Sequence, residues 1–232
     1  MMAGRWRHMA ALRYTPFLLI VQKVIRRVPF RPVDIGKLCF LRLDGVPRVP
    51  PGMRRGPALV REATRTDVDA LTRLQHSRET FLGRFDEGDR CVVAVVRDRI
   101  VGYEWFSVNA THHETAWNYT IDIPSGCVYA YDAYIDSAYR NSGIWLRFKA
   151  TLAEWMLATD KHCVLTFVEY GNAASLRTHQ RFGFKRSKTV LAAKVFGQSF
   201  FSEDEAPSVQ SSMESTMTGS RIPFSEFSGV RK

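Results

Sequence analysis

Tyr139-Arg140-Asn141-Ser142-Gly143-Ile144 stands where an aromatic and β-branched run, CVYAYDAYID, gives way to a helical period. The first N–H groups of a helix have no intrahelical partner, and the positive end of the helix dipole lies beside them. With the Arg140 guanidinium close by and Gly143 letting a ligand approach the backbone, the amides around Asn141, Ser142, Gly143, Ile144 and Trp145 form a seat for phosphate oxygens. A tight loop entering a packed helix is the other reading of the same residues, and the rest of the chain has to decide between them. A second stretch, Thr111-His112-His113-Glu114-Thr115, invites a metal ion. Adjacent histidines cannot share one face of a strand and no further ligand pair accompanies them, so a polar loop is expected and no metal.

These residues need elements to position them. ALVREA reads as a strand, and TRTDVDALTRLQ as a helix with Thr66 at its N-cap, Asp69 in its first turn and Val68, Leu71 and Leu74 along one face. CVVAVVRDRIVGYEWFSV reads as two strands joined around Arg97-Asp98-Arg99. After the phosphate-seat turn, Ile144, Phe148, Leu152 and Trp155 share a helical face. HCVLTFVEY is a further strand that leads through Gly171 into NAASLRTHQRFGF, a short helix stopped at Gly183, and KRSKTVLAAKVF supplies closing strand. The order predicts an α/β fold with a mixed, largely antiparallel sheet flanked by helices; a doubly wound parallel sheet would alternate more strictly.

Two of these junctions carry a resemblance. Arg140 and Gly143 match the [Arg/Gln]-x-x-Gly-x-[Gly/Ala] pattern that ends the fourth strand of the GCN5-related N-acetyltransferase (GNAT) superfamily. Asn172, Ser175, Gly183 and Phe184 match the pattern that follows its fifth strand. The resemblance covers residues 58–197. It implies acetyl-CoA as acyl donor, with its pyrophosphate on the Arg140–Trp145 amides and with Asn172 and Ser175 also at the cofactor. It implies direct attack of an amine on the acetyl carbonyl, with an oxyanion held by backbone N–H groups around Tyr134, Ile135 and Asp136.

Trp145 stands where relatives carry Gly or Ala, and His179 where the family often has a tyrosine acting as acid toward the leaving thiolate. Histidine is capable of that transfer. Glu169 and Asp132 are the nearest carboxylates for a general base, with Glu104 a third. The activity implied is acyl-CoA-dependent N-acyl transfer to a small-molecule amine, an amino sugar or a peptide end. The alternative is a catalytically inactive domain of this fold that binds coenzyme A or a protein partner. Specificity would lie in Leu82–Gly88 and in the loop from Asn109 to Gly126.

The net charge of +10 sits in residues 1–57, where twelve Lys and Arg face only Asp34 and Asp44; from 58 onward the charges balance. The main domain thus offers no footprint for nucleic acid. Residues 1–57 read as a basic extension with a short amphipathic helix over roughly 17–27, which either docks on the protein or lies on an anionic membrane surface. Residues 198–232, rich in Ser, Thr and Met, read as a disordered tail. Four singly spaced cysteines, Cys39, Cys91, Cys127 and Cys163, suggest reduced thiols and a cytoplasmic protein, with peripheral contact at the inner face of a membrane through the basic arm.

Overall fold

A computed structural model describes residues 33–54 and 56–205, together with residues 20–22, 24, 25 and 27. Residues 20–22, 24 and 25 are helical, with Ile20 and Val24 exposed; the rest of the helix expected over 17–27 lies outside the described residues, as does the chain beyond 205.

Ten strands are described: β1 (Val33–Asp44), β2 (Leu59–Glu62), β3 (Arg90–Val96), β4 (Arg99–Ser107), β5 (Thr111–Glu114), β6 (Tyr119–Asp122), β7 (Cys127–Ile135), β8 (Cys163–Glu169), β9 (Lys185–Val195) and β10 (Gln198–Glu205). The helices are α1 (Val68–Leu71), α2 (Arg78–Asp86), α3 (Ile144–Leu157) and α4 (Ala173–Phe182). Eight strands form one sheet in the order β10-β9-β1-β8-β7-β4-β3-β2, and β5 and β6 form a separate hairpin. All neighbours in the large sheet run antiparallel except β7 and β8, so the mixed, largely antiparallel sheet read from the sequence is what the chain builds.

Three boundaries differ from the sequence reading. The extension is not an appendage: Leu38–Asp44 pair with β8 and Val33–Arg42 with β9, which places β1 inside the sheet. The Leu38–Leu41 run supplies both faces of a buried strand, a signal masked by the surrounding arginines. At the other end, Phe196 and Gly197, at φ of 47° and 83°, turn β9 back into β10, so 198–205 are strand and not tail. The first helix begins earlier and is shorter, with Thr64 at the N-cap of a 3₁₀ turn over Arg65–Asp67; the Asp67 carboxylate accepts the Thr64 N–H at 2.9 Å and pairs with Arg61.

Strand alternation divides the core between the two faces of the sheet. On one face Leu38, Phe40, Tyr103, Trp105 and Tyr129 pack with Val68 and Leu71 of α1, Phe81 of α2, and Trp117, Tyr119 and Ile121 of the hairpin region. On the other, Cys39, Leu41, Phe106 and Val128 pack with Ile144, Phe148, Leu152 and Met156 of α3 and Leu176 of α4. Trp155, expected on the buried face of α3, is only half-buried, and Met156 takes the inner place.

Candidate active site

β7 and β8 pair only through Cys127–Cys163, Val128–Val164 and Tyr129–Leu165. Past that point they separate, and the gap between them is a cleft of about 770 Å³ lined by residues from both faces of the sheet. The closed end is pinned by a disulfide between Cys127 and Cys163, whose Cα atoms are 4.5 Å apart. This corrects the expectation of four reduced thiols. The two cysteines lie far apart in sequence but face each other on the first rung of the parallel pair, which spacing alone does not reveal.

A bulge shapes the cleft wall. Tyr103 is opposite Tyr134 and Trp105 opposite Tyr131, so Glu104 alone faces both Asp132 and Ala133, and Asp132 takes a φ of 45°. The Asp136 N–H donates to the Val101 carbonyl at 2.9 Å, so the alternation of an antiparallel ladder turns the Tyr134 amide toward β4 as well. Of the three residues expected to hold an oxyanion, only Ile135 then has its N–H directed toward the splay; its carbonyl, on the same side, accepts from Arg140 Nε at 3.2 Å. Tyr134 and Asp136 are corrected to structural roles: the Tyr134 ring stacks on Tyr103, and the Asp136 carboxylate accepts from the Ala138 N–H.

On the α3 side the turn has the form expected of an anion seat. Asn141 and Gly143 are both left-handed, at φ of 62° and 77°, and Gly143 is the N-cap of α3 with no side chain capping the helix. The Ile144, Trp145 and Leu146 amides therefore have no intrahelical partner, since the first intrahelical bond is Arg147 N–H to Gly143 C=O. A Cβ on Gly143 would meet nothing within 4 Å, so the space above the turn is clear. Ser142 Oγ donates to the Tyr139 carbonyl and fixes the turn, and the Arg140 side chain is exposed beside it. The Trp145 indole does not close this seat; it packs edge-on against His179 and Phe182, with the Lys149 ammonium 5.0 Å from a ring centre.

At the foot of the cleft Glu104 is buried with Lys149, Nζ donating to Oε1 at 2.6 Å. Oε2 has no hydrogen-bond partner, although the carboxylate lines the cleft. Burial pushes the Glu104 carboxyl up, and Lys149 opposes the shift. His179, one turn along α4 from Ser175, donates from Nδ1 to the Ser175 carbonyl at 2.9 Å, because a carbonyl can only accept. Burial and then the nearby Lys149 charge hold its pKa down at about 4. A neutral ring with its proton at Nδ1 has none to give from Nε2, so His179 cannot be the acid toward a thiolate near neutral pH.

The other predicted residues fall as follows. Asn172 and Ser175 line the cleft, but the Asn172 Oδ1 accepts the Ser175 N–H at 3.1 Å and so caps α4. Glu169 lines it from the end of β8. Asp132 lines it too, yet is held by the Arg84 guanidinium and by His76 Nε2 at 3.1 Å, which ties up the carboxylate as a base. The stretch read as a polar loop is β5: the His112 ring packs tilted against Tyr129 and Tyr131, and the β5–β6 hairpin roofs the cleft opposite α2. Among the described residues no group of three or more His, Cys, Asp or Glu side chains is arranged to hold a metal ion.

Lys149, Arg84 and Tyr129 were not singled out from sequence. A lysine on the apolar face of α3 and a glutamate within VGYEWFSV were the readable signals, because a charge in a buried pattern needs a partner.

The fold and cleft define a protein built around a splayed strand pair with an uncapped, left-handed turn at the start of the following helix. The family model described as Acetyltransferase (GNAT) family matches residues 58–184, and the chain belongs to that family. No curated protein matches it. Among solved structures, a GNAT-family protein from Novosphingobium aromaticivorans superposes with a TM-score of 0.50 at 14% identity, covering 69% of this chain and 63% of that one. This chain thus spans less than two thirds of that protein's length. At that identity the likeness is one of fold. A ribosomal-protein-alanine N-acetyltransferase from Brucella melitensis gives 0.46 at 21% identity, covering 64% of this chain and 99% of that one.

Proposed function

We propose that the protein is an N-acetyltransferase that moves acetyl from acetyl-CoA to an amine through the β7–β8 gap. What carries this is a pair of features following and flanking β7: the uncapped N-terminus of α3 after the strand, and the buried Glu104 of the neighbouring cleft with an unbonded oxygen.

The turn fits a pyrophosphate, with Arg140 and the Ile144–Leu146 amides as its donors. Acetyl-CoA supplies a thioester whose carbonyl carbon takes the amine nitrogen as the carbon–sulfur bond breaks. Ile135 N–H faces the gap and is the donor for the oxygen that gains charge. Glu104, made more basic by burial and held in place by Lys149, takes the proton that an ammonium must lose before it can attack. That proton passes to solvent, and the second nitrogen proton goes to the leaving sulfur. The neutral His179 acts as a wall of the donor half, packed between Trp145 and Phe184.

Calorimetric titration of acetyl-CoA into the wild type and into Arg140→Glu tests the reading. Micromolar binding that the variant loses supports the donor seat, and equal binding by both refutes it. Release of free thiol with an added amine then separates an enzyme from a domain that only binds coenzyme A.

A further inference from the structure

The two ends of the cleft differ in charge. Its lining carries six carboxylates, of Glu79, Glu87, Glu104, Glu114, Asp132 and Glu169, against a single guanidinium, Arg84, in a chain whose net charge is +10. Arg84 answers Asp132, and Lys149 answers Glu104 from behind. On the α2 side, Glu79 and Glu87 are spaced at i and i+8 with Gly83 between them, so they border one groove about 12 Å long. A Cβ on Gly83 would meet nothing within 4 Å, which leaves that groove open. Glu114 faces it from the hairpin, and no lining lysine or arginine remains to neutralise these three. Arg78, beside Glu79, is taken by Asp69.

A second observation points to a ligand. The Tyr129 hydroxyl is wholly buried on the cleft floor, 5.0 Å ring-to-ring beneath His112, and has no hydrogen-bond partner. Buried polar groups are almost always bonded, so an orphan on a cavity floor lacks a partner that belongs in the cavity. Burial also holds His112 toward its neutral form, which removes a competing positive charge.

The roof sets the size. Trp117, in the turn of the hairpin, lies against Gly36 of β1, and Tyr119 of β6 is bonded to Glu203 and to Lys188 at 2.9 Å. The hairpin is thereby fixed across the splay, which favours a slender guest over a folded one.

We propose that the acceptor is a small, flexible polyamine. One ammonium reaches the β7–β8 gap over the Tyr129 hydroxyl, and a second is held between Glu79 and Glu87 of α2 and Glu114 of the hairpin. The word acceptor rests on the acetyl-transfer reading; the cation site itself does not.

Calorimetric titration of spermidine and of n-butylamine into the full chain, with and without coenzyme A, reads this half of the cleft without turnover. Spermidine is expected to bind about tenfold more tightly than the monoamine, through two carboxylate contacts of modest strength. The Glu79→Gln/Glu87→Gln double variant, changed only at exposed positions, should lose that preference while binding coenzyme A as before. Tyr129→Phe should weaken spermidine several-fold, again with coenzyme A binding unchanged. Equal affinity for the two amines, no spermidine binding, a preference that survives in the double variant, or tighter binding of a lysine-rich peptide overturns the proposal. Loss of coenzyme A binding with the spermidine preference intact overturns the acetyl-transfer reading and keeps the polyamine site.

Discussion

The turn into α3 presents backbone, and the α2–hairpin side of the cleft presents side chains. On the first, the binding groups are amides freed by two left-handed residues and an uncapped helix. On the second, they are carboxylates, a phenol and imidazoles brought from α2, β5 and β7. A backbone seat of the kind proposed would recognise a charge that every acyl-CoA shares. A side-chain wall can be rewritten one residue at a time without disturbing the sheet, so the two halves are open to separate tests.

Glu104 lies where the halves meet, and its loss should have the largest effect. Glu104→Gln keeps the shape but removes the proposed base and the counter-charge of buried Lys149, and in the folded variant kcat is expected to fall by about 10³ with the KM for acetyl-CoA unchanged. Initial rates of thiol release with spermidine would show it, and a KM effect alone would move Glu104 to a binding role. Gly143→Val confines damage to the backbone half: a β-branched residue at φ 77° is strained and covers the amides, and coenzyme A affinity should drop about a hundredfold. Spermidine affinity in the same variant should hold, and a parallel loss would mean that the halves are coupled.

Gly36→Ala attacks the other half from a distance. Its Cβ would sit 2.4 Å from Trp117 Cζ2, so the buried indole has to move, at a cost of about 2 kcal/mol. Thermal unfolding should register this, and spermidine affinity should fall while coenzyme A binding remains. The smallest effect comes from His179. Its folded pKa of about 4 lies below the unfolded value near 6.5, so the unfolded chain binds the extra proton between those limits. Stability is therefore lost as pH falls through that window. Between pH 7 and 5.5 the loss is about 1 kcal/mol, and denaturant midpoints of the wild type against His179→Gln would isolate it.

The same division explains what was legible in the sequence. Arg140, Asn141 and Gly143 lie within four consecutive residues, and their conformational demands are written in their types, so the turn and the helix that follows it could be read directly. Glu79, Glu114 and Tyr129 become neighbours only when α2 and the hairpin close over β7, and nothing local marks them. His179 was visible as a position but not as a state: its neutrality follows from Trp145, Phe184 and Lys149 packed around it. β1 was hidden for another reason, since its arginine-rich surroundings drew attention to charge and away from the apolar run at its centre. Local periodicity places helices and hairpins well, but it cannot say that a strand near residue 40 belongs between two others near residues 165 and 190.

That placement bears on how the molecule comes into being. Leu38 must wait for Glu169 and Val190, so a strand made well before β8 and β9 finds its neighbours only after both have been made. Until then β8 presents a bare edge and β9 has no inner partner, and both are open to pairing with other chains. A truncation to residues 58–184, the span that the family model matches, would remove β1, β9 and β10 together and leave the β8 edge bare for good. It is expected to aggregate rather than to yield a minimal domain.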